Sequence, residues 1–187
     1  MSITKALLII DMQKGSFTAL TLRFDREGIV KRINALSKQF RNSNSHVIFI
    51  QHDGTSLNEF IPNTSEWELL DDLNKETKDI FIDKYANDVF YNSNLASKLN
   101  QLGINELYIT GCATDFCVES TVQSALAKDY EVVVVGDCHT TGDRPHLKAE
   151  QVIEHYNWVW SNMIPTKGGV KVVSFEEITI LHLNLKI

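Results

Sequence analysis

The stretch Glu106-Leu107-Tyr108-Ile109-Thr110-Gly111-Cys112-Ala113-Thr114-Asp115-Phe116-Cys117-Val118-Glu119-Ser120 changes character as it runs. Glu106–Gly111 is a short apolar run of the kind that forms a buried strand. From Cys117 to Lys128 the apolar residues recur at helical spacing instead. In the turn between them, Thr114 or Asp115 can cap the helix and set the Cys117 sulfur in its first turn. The passage therefore reads as a strand–turn–helix unit with a nucleophile just past the strand's carboxyl end.

The same alternation continues in both directions. Ala6–Ile10, His46–Gln51, Asp79–Asp83, Tyr130–Gly136 and Val170–Ser174 join Glu106–Gly111 as strands rich in Val, Ile, Leu and Phe. Arg26–Arg41, Asn94–Leu102 and Leu147–Asn162 join Cys117–Lys128 as helices, with a shorter one expected at Trp67–Leu73. Continuous apolar strands separated by helices predict a three-layer α/β/α sandwich: a mainly parallel, six-stranded, doubly wound sheet in one domain spanning 1–187. From Ile178 to Ile187 apolar and polar residues alternate, which leaves an extra edge strand or a partner contact open.

In such a sheet ligands bind outside the carboxyl ends of the strands, where the strand order reverses. Asp11 directly follows the first strand, Lys84 the third, and Cys117 the fourth. With the common order 3-2-1-4-5-6, the first and fourth strands are neighbours at the reversal. Asp11 and Cys117 then face each other, and the loop of Lys84 must fold back to reach them. The helix dipole and free N–H groups would lower the thiol pKa of Cys117. A carboxylate beside the thiol can take its proton, return it to a leaving amine and activate water. Lys84 would keep that carboxylate ionised. Taken singly, each has a plainer reading: a small core cysteine, a turn-making aspartate, a solvated loop lysine.

Composition removes several classes of function. Lys and Arg total 18 and Asp and Glu 24, a formal net charge of −6, without the long basic runs of a nucleic-acid or anionic-membrane surface. The longest apolar run, Ala6–Ile10, is too short to span a bilayer. Three cysteines with no export signal fit free thiols in the cytoplasm. Cys112 and Cys117 with only Cys138 to help do not make up a zinc ligand set. Phe17 and Trp67, aromatics on loops, are candidate walls of a substrate pocket, with His52 after the second strand and Phe116 beside the nucleophile. His139, His146 and His155 read as helix-end or interface residues. Trp158 and Trp160 point to opposite sides of their helix, so one is free to seal the interface of a homo-oligomer, a dimer or tetramer.

Ala6–Gln13, Lys84–Phe90 with Leu95 beyond it, and above all Gly111–Ser120 resemble the isochorismatase-like cysteine hydrolase superfamily. Its third signature resembles G-x-A-T-D-x-C-V, matched here at every fixed position, and the likeness extends to Asp137, His139 and Asn157-Trp158-Val159-Trp160. The resemblance implies an Asp11–Lys84–Cys117 triad. It also implies a cis peptide just before Ala113, so that the N–H groups of Ala113 and Cys117 form an oxyanion hole.

Relatives that cleave a vinyl ether generally lack the cysteine, so Cys117 favours acyl transfer through a thioester. Nicotinamidases carry a D-x-H metal motif where this chain reads Phe49-Ile50-Gln51-His52-Asp53-Gly54-Thr55, without the second-position histidine. Asp88-Val89-Phe90 stands where Ser-Ala-Phe is usual. The expectation is a cytoplasmic hydrolase of a small amide, ureido or related acyl compound that needs no metal or cofactor. Asp11 would act as base and acid, Lys84 as electrostatic partner and Cys117 as nucleophile. The same residues admit two other readings: a metal-dependent nicotinamidase-like amidase, which a bound metal would mark, and a non-catalytic binding or redox-sensing module.

Overall fold

Five of the chain's predicted strands are apolar on successive residues, and the computed structural model, which describes residues 4–184 and side chains as far as Ile180, explains why. β1 (Lys5–Ile10), β2 (His46–His52), β3 (Ile80–Lys84), β4 (Glu106–Cys112), β5 (Glu131–Thr140) and β6 (Val170–Val173) form one sheet in the order β3-β2-β1-β4-β5-β6. Every ladder is parallel. Both faces of the sheet are covered, so the central strand residues are mostly apolar, and the buried Thr110 hydroxyl is satisfied by Leu8 O.

Side chains of a strand alternate between faces, and β1 divides accordingly. Ala6, Leu8 and Ile10 join a core with α2 (Leu95–Gln101), α3 (Glu119–Ala127) and α4 (Ala149–Ser161). Leu7 and Ile9 join a second core with α1 (Arg26–Asn42) and α5 (Phe175–Asn184) on the opposite face. The four residues Leu7–Ile10 are fully buried, each worth about 1.5–3 kcal/mol of hydrophobic stabilisation. The three-layer sandwich and the strand order are as the sequence implies. Among the described residues no helix is long and apolar enough to cross a membrane.

Three local expectations are corrected. Trp67–Leu73 is not helical: residues 66–70 zip against 12–15 instead, with Gly15 N donating to Glu66 O, Lys14 N to Glu68 O and Leu70 N to Met12 O. The segment from Ile178 is the body of α5 rather than an edge strand, while 185–187 lie outside the described residues. Its cause is a capping box: Glu177 N donates to Ser174 Oγ, and Ser174 N to the Glu177 carboxylate. Finally, β5 runs four residues past Gly136. Ile109 pairs with Val134 but Gly111 with His139, so β5 bulges and carries His139–Thr140 alongside the end of β4.

Gly111 makes the close approach of β4 to β1 possible. Its φ is +115°, and a Cβ there would fall 2.1 Å from Ile10 O and 2.5 Å from Ile10 N. Only glycine fits. The residue after Ile10 is Asp11, so this contact sets the separation of the two strand ends that carry the site.

Candidate active site

The exits of β1 and β4 adjoin where the strand order reverses, and Asp11 leaves β1 there with φ +48°, a left-handed conformation that aspartate tolerates. Lys84 is the last residue of β3, paired in register with His52 of β2. No folding back of its loop is needed. The long side chain passes across the exit of β2, and Nζ meets Asp11 Oδ2 at 2.8 Å, Ala86 O at 2.8 Å and Cys117 Sγ at 3.3 Å. The second oxygen of Asp11, Oδ1, is buried without a hydrogen-bond partner. Asn87 Oδ1 lies 3.6 Å from the sulfur as an acceptor for the thiol.

Electrostatics within this group depart from the expectation of an acidic thiol. Burial, then the carboxylate of Asp11, push the Cys117 thiol well up, and Lys84 offsets only part of this. One ammonium cannot neutralise both a carboxylate and a thiolate, and a buried net negative charge is costly. For Lys84, burial acts to lower the pKa, but Asp11 and then Cys117 outweigh it and hold the ammonium charged. The resting arrangement is carboxylate, ammonium and neutral thiol.

The turn that presents Cys117 is also built differently from the simple capped helix expected. The Cys112–Ala113 peptide is cis, as the family resemblance implies. Thr114–Val118 is a π-helical turn ahead of α3, and no side chain caps it. Thr114 and Asp115 reach sideways to β5 and the loop beyond it. Asn157 Nδ2 donates to Gly136 O, which leaves its Oδ1 to accept from His139 Nε2–H, and His139 Nδ1 then accepts from Thr114 Oγ1. His139 is therefore an internal brace, not a helix-end or interface residue, and burial lowers its pKa to about 4. Asp115 takes two hydrogen bonds from Arg144, at 2.7 and 2.8 Å, and one from Thr141 at 2.7 Å. Burial would raise the Asp115 carboxyl, yet Arg144 and Thr141 hold it below its usual range.

With this geometry in view, the chain can be compared with known proteins. The family model of the isochorismatase domain matches residues 5–166. The chain belongs to the isochorismatase family. An uncharacterized isochorismatase family protein, YddQ of Bacillus subtilis, is 34% identical over 145 residues, 74% of this chain and 79% of YddQ. Ureidoacrylate amidohydrolase RutB of Variovorax paradoxus is 35% identical over 97 residues, half of this chain but only 38% of RutB. A crystal structure of an isochorismatase family protein superimposes with a TM-score of 0.83 at 28% identity, covering 91% of this chain and 98% of that one.

In this member of the isochorismatase family Asp11, Lys84 and Cys117 line a cleft of about 480 Å³, within the usual range for small-molecule sites. Of the residues expected to contact substrate, His52 and Phe116 line it, as does Ala113. His52 Nδ1 is buried and unpartnered, and burial, then Lys84, lower its pKa. Phe17 and Trp67 do not line the cleft. Phe17 packs against the α1 core and borders a separate depression with Arg26 and Leu70. Trp67 is held in the zipped segment, where its carbonyl accepts from Gln13 Nε2 and Gln51 Nε2.

Several cleft residues escaped sequence reasoning: Arg23, Glu59, Phe60, Glu66, Asn87 and Arg144. Most lie on loops, where no periodicity marks them. Arg144 had a readable signal, since it follows the end of a strand as Asp11 and Cys117 do. Among the described residues no group of three His, Cys, Asp or Glu is placed to hold a metal ion.

Proposed function

We propose that this isochorismatase-family chain is a cysteine hydrolase that cleaves a small amide, ureido or related acyl compound through a thioester on Cys117. The observation that carries this reading is Lys84 Nζ, in contact at once with the Asp11 carboxylate and the Cys117 sulfur on the cleft floor. A buried lysine placed this way is costly unless the charges it balances are used. The unpartnered Oδ1 of Asp11 supports the same reading, because it is a free acceptor with nothing structural to do. The relative named an amidohydrolase supports C–N cleavage.

Moving the thiol proton to Asp11 leaves the buried group neutral overall, whereas losing it to solvent does not. The raised thiol pKa is thus no obstacle to an internal transfer. In the first half-reaction Asp11 takes the proton, Sγ bonds to the acyl carbon, and the carbonyl electrons move to oxygen. The N–H groups of Ala113 and Cys117 hold that oxyanion, a contribution typically worth about 100–1000-fold in rate per donor. The C–N bond then breaks, and protonated Asp11 delivers its proton to the leaving nitrogen. In the second half-reaction Asp11 takes a proton from water, and hydroxide adds to the thioester. The C–S bond breaks, and the proton on Asp11 returns to sulfur. The sum is amide plus water to acid plus amine. His52 and Phe116 flank the acyl group.

Intact-protein mass spectrometry during turnover of an amide and ureide panel tests this. One acyl adduct on Cys117, absent from Cys117→Ala, is expected. Full turnover by Cys117→Ala, or an adduct confined to Cys112 or Cys138, would overturn it.

A further inference from the structure

The cleft carries three cations, and two are already committed. Lys84 is held by Asp11, Cys117 and Ala86 O, and Arg144 by Asp115 and Thr141. Arg23 is the third, and it is different. The chain has five arginines, and four of them pair with a carboxylate: Arg26 with Asp72, Arg32 with Asp25, Arg41 with Asp79, Arg144 with Asp115. Arg23 alone has no carboxylate partner among the described residues.

Arg23 is nevertheless fixed in place. Nε donates to Ser16 O at 2.8 Å, and Ser16 lines the same cleft. Nη1 lies 3.4 Å from where a Cβ of residue 142 would stand, so Gly142 leaves the guanidinium room against the backbone. A guanidinium has five N–H donors, of which Nε spends one. Its half-buried plane keeps the remaining donors at the cleft wall, where a planar anion can accept two at once.

The other charges in the cleft restrict where such an anion can lie. Glu59 and Glu66 belong to the 59–66 segment, whose backbone and side chains press on Gly15 and Gly54 near His52. A carboxylate beside them is repelled. Beside Arg23 it is attracted, and the same cleft holds the Arg144 guanidinium, 5.0 Å from the Phe116 ring centre.

We propose that Arg23 is a specificity-determining residue that binds a carboxylate of the substrate, so that the natural substrate is a small amide or ureide bearing an acid group. The proposal rests on the hydrolase reading for what happens to that substrate, but its binding claim can be read separately. N-carbamoylglycine and its neutral counterpart N-carbamoylglycinamide differ only in that group, and calorimetric titration into Cys117→Ser measures both without turnover. The acid is expected to bind roughly 10–100-fold more tightly than the carboxamide, the range for a charge-assisted hydrogen-bonded pair. Arg23→Gln in that background should bring the ratio towards one, and Arg23→Lys should retain part of it, with thermal melts confirming folded variants.

A ratio unmoved by Arg23→Gln, a preference for the carboxamide, or no binding of either probe would overturn the proposal. So would equal stability losses in Arg23→Gln and Glu66→Gln with no change in ratio, which would assign Arg23 to an ion pair with Glu66. Acyl-enzyme formation with no acid preference sinks Arg23 alone. An intact acid preference with no Cys117 adduct on any substrate sinks the hydrolase reading alone.

Discussion

Replacing Lys84 by methionine keeps most of the side-chain volume and removes the charge. Lys84 is buried, 1% exposed, and Asp11 is 6% exposed, so the variant strands a carboxylate with one oxygen already lacking a partner. Breaking a buried ion pair from one side costs about 3–5 kcal/mol, much of it the penalty of the orphaned charge. For a chain of this size each kcal/mol shifts the melting temperature by about 2–4 °C, so a fall of roughly 6–20 °C is expected. The double variant Lys84→Met with Asp11→Asn has no orphaned charge and should recover about 2 kcal/mol of that loss. Urea denaturation of wild type, both single variants and the double variant closes the cycle. If Lys84→Met costs less than about 1 kcal/mol, or if the two substitutions are simply additive, the carboxylate is not held by the lysine and the charge argument fails.

Three other perturbations probe separate parts of the structure. Gly111→Ala drives a Cβ into the Ile10 backbone at a φ of +115°, and backbone strain plus overpacking should cost about 3 kcal/mol or more, read by chemical denaturation; a loss below about 1 kcal/mol would contradict the close approach. His139 has its pKa lowered to about 4 in the fold against about 6.5 unfolded, so the unfolded chain binds the extra proton. Stability tied to it is complete above about pH 6.5 and falls by about 3 kcal/mol as pH drops towards 4. Melting curves of wild type and His139→Gln should converge on acidification, and parallel curves would show that His139 is not held neutral. Because the Cys117 thiol is pushed up, iodoacetamide labelling in the absence of substrate should keep accelerating through pH 9; a rate already level at pH 7 would mean a stabilised thiolate.

The strands were legible because both faces of the sheet are covered, which writes Leu7–Ile10 or Val132–Val135 as unbroken apolar runs. The positions of Asp11, Lys84 and Cys117 were legible because strand ends in a doubly wound sheet converge on one crevice. What the sequence concealed was decided by contacts between distant residues. Trp67–Leu73 carries helical spacing, but Gln13 just past β1 and Gln51 in β2 capture the Trp67 carbonyl. Gly136 looks like a strand stop, yet β5 bulges and continues because His139 has an acceptor chain to Asn157 waiting for it. The start of α5 was readable from Ser174 and Glu177 alone, and the alternation further on masked it. The thiol's environment was beyond any spacing rule, since it depends on a carboxylate and an ammonium arriving from two other strands.

That environment also separates two tasks within the cleft. The floor is made by strand ends and one π-helical turn, braced through Thr114–His139–Asn157 and Asp115–Arg144. Its charges cancel internally, so the floor gains little from the charge of what it binds. The rim is made by loops, and it carries Arg23 together with Glu59 and Glu66. Substitution at the rim changes a ligand's electrostatic fit without disturbing the cancelled charges below, whereas substitution on the floor unbalances a buried charge. A chain built this way can alter which ligand it accepts by changing loop residues at little cost to stability. On the proposed reading, the identity of the substrate is therefore to be sought in Arg23 and the 59–66 segment, and the identity of the reaction in Asp11, Lys84 and Cys117.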